Sequence, residues 1–179
     1  MVAGGALGGM SVDSDLEPED RLEVLSVLLS NARQSSDDIA RQTGLSAAAV
    51  EAAIAGFEEE GVIRGYQAIV DWERLDNDHV SAQLELNVEL DRETSYRDIA
   101  NRIAKFPEVA SLRLVSGEYD FAVDLEGESM HEISDFVAER IAPVPEITQT
   151  VTHFVMTTYK DRGIEFDADD EDDRLSVSP

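Results

Sequence analysis

Residues 80–90, VSAQLELNVEL, alternate strictly between apolar side chains at even positions and polar side chains at odd positions. Successive side chains of a β-strand point to opposite faces of a sheet, so this period of two predicts a strand with one buried and one wet face. Antiparallel sheets commonly keep one face on a core and leave the other in water. The stretch therefore predicts an antiparallel sheet, and the sequence on either side of it indicates which elements cover the buried face.

Downstream of this strand, helix and strand patterns alternate. We expect a helix over residues 95–106, a strand over 109–115, a turn at 117–120, a strand with Phe121, Val123 and Leu125 on one face, a helix with Met130, Ile133, Phe136, Val137 and Ile141, and a last strand over 147–156. The corners 105–109 (KFPEV) and 143–147 (PVPEI) resemble each other, as the corners of two βαβ halves would. The order βαββαβ predicts a ferredoxin-like α+β sandwich with two helices on one face of a four-stranded sheet.

The last strand has apolar side chains in both of its alternating sets. Ile147, Val151 and Val155 form one set, and Phe154 and Met156 lie in the other. An apolar patch on the face that no helix covers usually marks an interface. We therefore expect sheet-to-sheet association into a homodimer or higher homo-oligomer.

Upstream of the strand, the sequence predicts three helices. The first runs from Pro18 to Ser30, Ser36 is the expected N-cap of a short helix that stops at Gly44, and Ser46 is the expected N-cap of a third that ends at Gly61. Two short helices joined by a glycine-containing turn are typical of a helix-turn-helix. We interpret this region as a winged-type helix-turn-helix, followed by an extended segment and a polar hinge.

These patterns divide the chain into five segments. We expect a disordered N-terminus (1–15), a helix-turn-helix DNA-binding domain (16–66), a strand and hinge linker (67–79), a ferredoxin-like effector-binding and oligomerisation domain (80–160) and an acidic disordered tail (161–179).

The chain is strongly acidic throughout. Its 179 residues include 39 Asp and Glu against 14 Lys and Arg, a formal net charge of −25. At about 1 M salt the Debye length falls to about 3 Å, so repulsion among surface carboxylates is largely screened. We interpret the composition as an adaptation to very high salt, with an ordinary acidic protein as the alternative.

Several classes of site are excluded or unsupported. The chain has no cysteine, which excludes disulfides, thiolate nucleophiles and cysteine-ligated metals. No apolar run approaches the 18 residues of a membrane helix, and the N-terminus lacks the basic region of a secretory signal, so we expect a cytoplasmic protein with no membrane partner. His79, His131 and His153 form no metal-binding or catalytic pattern. We expect no cofactor, no metal and no enzymatic activity.

Two motifs are specific enough to suggest a family. Residues 58–66 read EEEGVIRGY and residues 117–120 read GEYD. With the order of elements around them, they make roughly residues 16–160 resemble the Lrp/AsnC (feast/famine) transcriptional regulators. The resemblance implies oligomeric C-terminal domains that bind a small effector, usually an amino acid, near the GEYD turn. The candidate effector-binding residues that it implies are Ser116, Gly117, Tyr119, Asp120 and Asp124.

The expected recognition helix departs from that family. Residues 47–60 contain no Lys or Arg, and Ala53 stands at an expected surface position where the family commonly has a basic residue. Methyl groups can contact thymine, a hydroxyl can bond a phosphate or a base edge, and flanking basic or amide side chains can hold phosphates. The candidate contacts to double-stranded DNA are Arg33, Arg41, Gln42, Ser46, Ala47, Ala48 and Arg64.

Two other functions stay open at this point. The chain is alternatively an effector-sensing regulatory partner with a degenerate helix-turn-helix that does not bind DNA by itself. A more distant alternative is an enzyme similar to the sirohaem decarboxylases, which share this two-domain layout. We would expect a His-Asn-Tyr-like segment on the second strand of such an enzyme, whereas residues 111–114 read SLRL.

Overall fold

The computed structural model describes residues 16–75, 77–92 and 94–166. They divide into two compact units, with the boundary between Ala68 and Ile69. The expected N-terminal segment 1–15 lies outside the described residues. No helix in the described ranges has the length and apolarity needed to cross a membrane.

Three helices form the first unit: α1 (Pro18–Ser30), α2 (Ser36–Thr43) and α3 (Ala47–Glu59). Each turns an apolar stripe inward, because residues three or four apart share one face of a helix. The shared core consists of Val24, Leu28, Ile39, Val50, Ala53 and Phe57. The three predicted helices are confirmed.

The N-cap of α2 is Ser35, so the prediction of Ser36 was wrong by one residue. The Ser35 hydroxyl accepts a hydrogen bond from the Asp38 amide at 3.2 Å, and the Asp38 carboxylate accepts one from the Ser35 amide at 3.4 Å. This reciprocal capping box needs an acceptor three residues after the cap, which Asp38 supplies for Ser35. The hydrogen bond from the Ser35 hydroxyl is the main reason why the pKa of Asp38 is lowered.

The turn between α2 and α3 matches its prediction. Gly44 ends α2 with a φ of 74°, in the left-handed region that glycine adopts without steric cost. The Ser46 hydroxyl accepts from the Ala49 amide at 3.1 Å and caps α3.

The strand that we expected in the 67–79 linker is not observed among the described residues of that segment. Residues 63–71 form no helix or strand, and Trp72–Arg74 form a single turn of 3-10 helix. An extended segment becomes a strand only when a neighbour supplies backbone partners. The four-stranded sheet described below includes none of these residues.

The second unit contains the predicted sandwich. Strands β1 (Val80–Val88), β2 (Val109–Leu114), β3 (Phe121–Gly127) and β4 (Ile147–Phe154) form an antiparallel sheet in the order β2-β3-β1-β4. Helix α4 (Tyr96–Ile103) and helix α5 (Met130–Phe136), which continues into a π-helical turn (Val137–Ile141), cover one face. The even positions of β1 pack against these helices, as the alternation predicts.

The two similar corners occupy equivalent places in the two halves. The Glu108 carbonyl accepts a hydrogen bond from the Glu126 amide at 3.0 Å, and the Glu146 carbonyl accepts one from the Glu89 amide at 2.8 Å. Each corner thus joins the start of an edge strand to the end of a central one. The pairing supports the βαβ repeat inferred from the sequence.

The predicted faces of β4 were partly wrong. Ile147 packs on the helix-covered core with Phe154, whereas its position in the sequence predicted that it would share a face with Val151. The register shifts at Asn87/Val88, where Gln149 pairs with Asn87 and Ile147 with Val88. An extra residue in one strand reverses the alternation of the side chains beyond it.

The face of the sheet away from the helices is mainly polar, which also differs from the expected apolar patch. The paired positions on this uncovered face include Gln83 with Asp124 and His153, and Glu85 with Ala122 and Val151. Arg113 forms an ion pair with Asp124, and His153 Nε2 lies 3.5 Å from Glu85 Oε1.

A short hairpin follows the sandwich. Strands β5 (Lys160–Asp161) and β6 (Ile164–Glu165) pair through a turn in which Arg162 and Gly163 have φ values of 44° and 90°. Two positive φ values suit a tight hairpin turn. The expected disordered tail therefore does not begin at residue 161, and residues 167–179 lie outside the described part of the chain.

Candidate nucleic-acid interface and effector turn

The outward face of α3 carries only methyl groups and carboxylates. Its side chains recur every three or four residues, and the exposed set is Ala48, Glu51, Ala52, Ala55, Glu58 and Glu59. Methyl groups can pack on thymine methyls, and a carboxylate can accept from the amino group of cytosine. No side chain in this set can donate a hydrogen bond to a base.

Ala53 is not a surface residue, so its expected place on the outward face of α3 was wrong. It is 7% exposed and packs in the helical core with Val50 and Phe57. Positions 50, 53 and 57 share the inward stripe of α3, and the neighbouring Ala52 is the exposed one of the pair.

Of the alanines at the start of α3, only Ala48 is exposed. Ala47 and Ala49 are half-buried, and Ser46 is exposed beside them. The Ser46 hydroxyl oxygen accepts from the helix, which leaves its hydrogen free to donate to a phosphate or a base.

The basic and amide candidates differ in their present bonds. Arg41 forms an ion pair with Asp38, and the Gln42 amide donates to the Gln34 side chain and to the Asp38 carbonyl. Arg33 and Arg64 are exposed, and neither has a carboxylate partner within the described ranges. Arg33 and Arg64 can therefore bind a phosphate without first breaking an ion pair to another described residue.

A contact that sequence reasoning missed joins α1 to the end of α3. One Arg21 nitrogen lies 2.9 Å from both carboxylate oxygens of Glu60, and the guanidinium lies over the Phe57 ring at 4.7 Å. The two partners of Arg21 are about forty residues distant in sequence, so no local spacing indicates the contact.

The GEYD turn is held by Asp120. Its carboxylate accepts from the Val88 amide at 2.9 Å through one oxygen and from the Tyr96 hydroxyl at 3.1 Å through the other. Its amide donates to the Leu86 carbonyl at 2.9 Å, and its carbonyl accepts from the Val115 amide at 2.9 Å. Asp120 thus ties the turn to β1 and to the first turn of α4.

Tyr96 is the second member of this arrangement and was not among the sequence candidates. The hydrogen bond to Asp120, together with the negative charge of that carboxylate, raises the pKa of the Tyr96 phenol. The ring also packs edge-on against Phe121, with 5.8 Å between centroids. The apolar stripe of α4 gives no sign of this polar contact, because Tyr96 stands at the first position of the helix.

The other turn candidates are more accessible. Ser116 and Gly117 are exposed, and Tyr119 is half-buried. The Tyr119 hydroxyl makes no hydrogen bond to any other described residue. The structure therefore brings Ser116, Gly117, Tyr119 and Asp120 together in one turn.

Asp124 lies apart from that turn. It projects from the uncovered face of β3, accepts from the Ser111 hydroxyl at 2.6 Å and pairs with Arg113. Four residues of strand span about 13 Å, which separates Asp124 from Asp120 along the sheet. Across the described ranges, no three His, Asp or Glu side chains are grouped so that they could hold a metal ion.

Two family models match the chain in the order in which the units occur. Residues 21–64 match a winged helix-turn-helix DNA-binding model, and residues 81–164 match the Lrp/AsnC ligand binding domain. The first matched range contains α2, α3 and Arg64, and the second contains the GEYD turn and Asp124.

Curated relatives extend over nearly the whole chain. The uncharacterized HTH-type transcriptional regulator YugG of Bacillus subtilis is 35% identical over 162 residues, which cover 90% of this chain and 98% of that protein. The leucine-responsive regulatory protein of Rhizobium meliloti is 28% identical over 152 residues, covering 85% and 96%.

Solved structures share the fold. Escherichia coli AsnC has a TM-score of 0.63 at 21% identity and covers 84% of this chain and 99% of its own. The regulator NMB0573 of Neisseria meningitidis, solved as a complex with L-Met, has a TM-score of 0.65 at 23% identity and covers 82% and 94%.

Proposed function

The chain belongs to the Lrp/AsnC family of transcriptional regulators, and from this premise we propose that it binds double-stranded DNA through α2 and α3 under the control of a small effector such as an amino acid. The observation that carries the proposal is the 35% identity to a helix-turn-helix regulator over 98% of that relative's length. The named relatives are transcriptional regulators, and we propose no enzymatic activity.

Phosphate contacts are assigned first to Arg33 and Arg64, because neither has a carboxylate partner within the described part of the chain. Arg41 and Gln42 join them once their bonds to Asp38 and Gln34 exchange for phosphate. Ser46, Ala47 and Ala48 approach base edges at the start of α3. Phosphate contacts fix the position of a protein on DNA, whereas base contacts determine the sequence that it prefers.

The solvent decides how strongly the acidic surface opposes this binding. In dilute salt a chain of net charge −25 is repelled by the phosphates, whereas at about 1 M salt the repulsion is screened within about 3 Å. We propose that the protein works in concentrated salt. Close contacts then determine affinity, and the acidic surface keeps the protein soluble.

Fluorescence anisotropy with the gene's own promoter fragment in molar KCl tests the DNA proposal. We expect saturable binding, and we expect Arg33→Ala combined with Arg64→Ala to weaken it by about a hundred-fold, because each removes a charged hydrogen bond. Arg97→Ala, an exposed arginine on α4, is the matched control and should change nothing. Absence of binding by a folded, oligomeric protein would contradict the proposal.

The outward face of α3 favours one second candidate, a regulatory partner that does not bind DNA by itself. That face offers no donor to a base, and Glu58 accepts a hydrogen bond from the Tyr66 hydroxyl at 2.9 Å. If the natural chain binds no DNA while Ala52→Arg with Ala55→Arg binds it, this candidate is preferred. Both positions are exposed, so the substitutions leave the core unchanged.

We assign the effector to the surface around Ser116, Gly117 and Tyr119, with Asp120 as the residue that positions the turn. Both carboxylate oxygens of Asp120 are already bonded inside the protein, whereas the Tyr119 hydroxyl is available to a ligand. Asp124 is assigned a lesser part, because it lies on the uncovered face of the sheet.

A screen of the common amino acids for a change in thermal stability and DNA affinity tests the effector site. Tyr119→Phe should weaken the effector response about ten-fold if the hydroxyl bonds a charged ligand group. Tyr159→Phe, at an exposed tyrosine after β4, is the control. Equal responses of the two variants would remove Tyr119 from the site.

We also propose that the uncovered face of the sheet forms the homodimer or higher homo-oligomer. It combines the Arg113–Asp124 ion pair with the half-buried Val151, a mixture of polar and apolar contacts found at interfaces. Light scattering should show dissociation on Val151→Arg and none on Val62→Arg, at an exposed position of the first unit.

A further inference from the structure

A cleft in the second unit lies outside all the surfaces considered so far. It occurs where β1 begins and β4 ends, and it has a volume of about 210 Å³. Its walls come from residues 70–73, 79–81 and 155–158, with Met130 and Phe166.

Aromatic and thioether side chains supply the apolar wall of this cleft. The Trp72 indole stacks on the His79 imidazole with 4.2 Å between centroids and 21° between planes. Trp72 is nevertheless 42% exposed, Met130 46% and Met156 80%. Exposed aromatic and apolar side chains that line a concavity are characteristic of small-ligand sites.

The cleft also carries one uncompensated negative charge. The Asp71 carboxylate is paired with Arg74, with 2.8 Å between Oδ2 and Nε, and its other oxygen accepts from the Glu73 amide at 3.2 Å. Glu73 is exposed and has no cationic partner in the described portion of the chain. A free carboxylate therefore adjoins the indole in sequence and lines the same cleft.

From this combination we propose that the cleft binds a small organic cation, an ammonium group attached to a compact apolar body. Tryptophan is the strongest cation–π partner among the side chains, and a nearby carboxylate adds direct attraction for the same charge. The methionines provide a deformable apolar surface for the rest of the ligand. The volume lies below the usual 300–1,000 Å³ of drug-sized sites, so the ligand is small.

This site is separate from the effector turn. Val80, at the start of β1, lines the cleft, whereas Asp120 bonds the amide of Val88 at the end of that strand. Eight residue steps of a β-strand span about 26 Å, which exceeds the length of any small amine. A single small ligand therefore cannot occupy the cleft and the GEYD turn at once.

The test uses the fluorescence of Trp72, which is the only tryptophan in the chain and reports on this cleft alone. The probe is 2-phenylethylammonium, and its matched analogues are neutral 2-phenylethanol and anionic 3-phenylpropionate. At about 1 M KCl, general attraction of cations to the acidic surface is screened. We expect saturable binding of the ammonium at least about five-fold tighter than of the alcohol, and no saturation with the carboxylate.

Two glutamate variants separate specific recognition from overall charge. Glu73→Gln should weaken binding of the ammonium about five-fold and leave binding of the alcohol unchanged. Glu139→Gln removes the same charge from an exposed position of the π-helical turn after α5 and should bind like the natural chain. Both substitutions are at exposed positions, so neither should prevent folding.

Three results would overturn the proposal. Equal affinities for the three probes would mean adventitious apolar binding, and equal effects of the two variants would mean attraction to net charge alone. Emission of Trp72 that depends on protein concentration and responds to no probe would mean that a second copy of the chain covers the cleft.

Discussion

The outward face of α3 and the GEYD turn use their polar groups in opposite ways. On α3 the exposed side chains are alanines and glutamates, and Glu58 has a partner in Tyr66. In the turn, both carboxylate oxygens of Asp120 are bonded within the protein, to Val88 and Tyr96. Apart from Glu58, the carboxylates on the face of α3 are thus available to a partner, whereas the turn uses the Asp120 carboxylate to hold the backbone.

Substitutions in the two regions should therefore affect DNA affinity and the free energy of unfolding differently. A substitution on the outward face of α3 should change DNA affinity and leave the free energy of unfolding nearly constant. A substitution of Asp120 should change both the free energy of unfolding and the response to an effector, because the turn depends on its hydrogen bonds.

The largest expected effect comes from neighbouring positions on α3. Ala53→Asp places an unpaired carboxylate in the helical core and should lower the free energy of unfolding by about 3 kcal/mol. Ala52→Asp, one residue away but exposed, should lower it by only about 0.7 kcal/mol, which is the lower helix propensity of aspartate. Urea unfolding at fixed salt measures both, and similar losses would mean that the inward and outward faces of α3 are wrongly assigned.

The next largest effect is expected at the turn. Asp120→Ala leaves the Val88 amide and the Tyr96 hydroxyl without their acceptor and should cost about 2 kcal/mol. Thermal unfolding of the full chain, followed by near-ultraviolet circular dichroism of its aromatic side chains, measures this loss. Tyr119→Phe is the control, since its hydroxyl has no hydrogen bond to lose within the described ranges, and a loss as large as that of Asp120→Ala would contradict this account.

Local patterns predicted the elements of both regions but not the contacts that join them. The alternation at 80–90 identified β1 because successive side chains of a strand point to opposite faces, so apolar and polar residues alternate along the sequence. The bond between Tyr96 and Asp120 spans 24 residues and depends on where α4 begins over the sheet. Ala53 was assigned to the wrong face because the two faces of an alanine-rich helix differ little in hydrophobicity. Ile147 was assigned to the wrong face because an inserted residue in β4 reverses the alternation of its side chains.

A smaller effect of opposite sign is expected at Gly56, in the middle of α3. A Cβ built there would meet only side-chain atoms of Glu60 and Arg21, at 3.8 and 4.0 Å, which are ordinary contact distances. Gly56→Ala should therefore raise the free energy of unfolding by about 0.5–1 kcal/mol, because glycine loses more conformational freedom in a helix. Urea unfolding measures the gain, and a loss would mean that another group approaches the helix at this point.

The smallest effect on stability is expected from Tyr96→Phe, which removes the hydrogen bond to Asp120 and acts in alkaline solution. The Tyr96 phenol donates to Asp120 only while it is protonated, so this bond and the adjacent negative charge raise its pKa in the folded protein. A raised folded pKa means that the contribution to stability is complete below the unfolded value of about 10 and is lost as the pH rises through the folded value. Tyr96→Phe should therefore flatten the alkaline decrease in stability and leave the profile near neutral pH parallel to that of the natural chain. Tyr159→Phe, at an exposed tyrosine, should keep the natural profile, and identical alkaline slopes for all three proteins would show that the Tyr96–Asp120 bond does not hold the turn in solution.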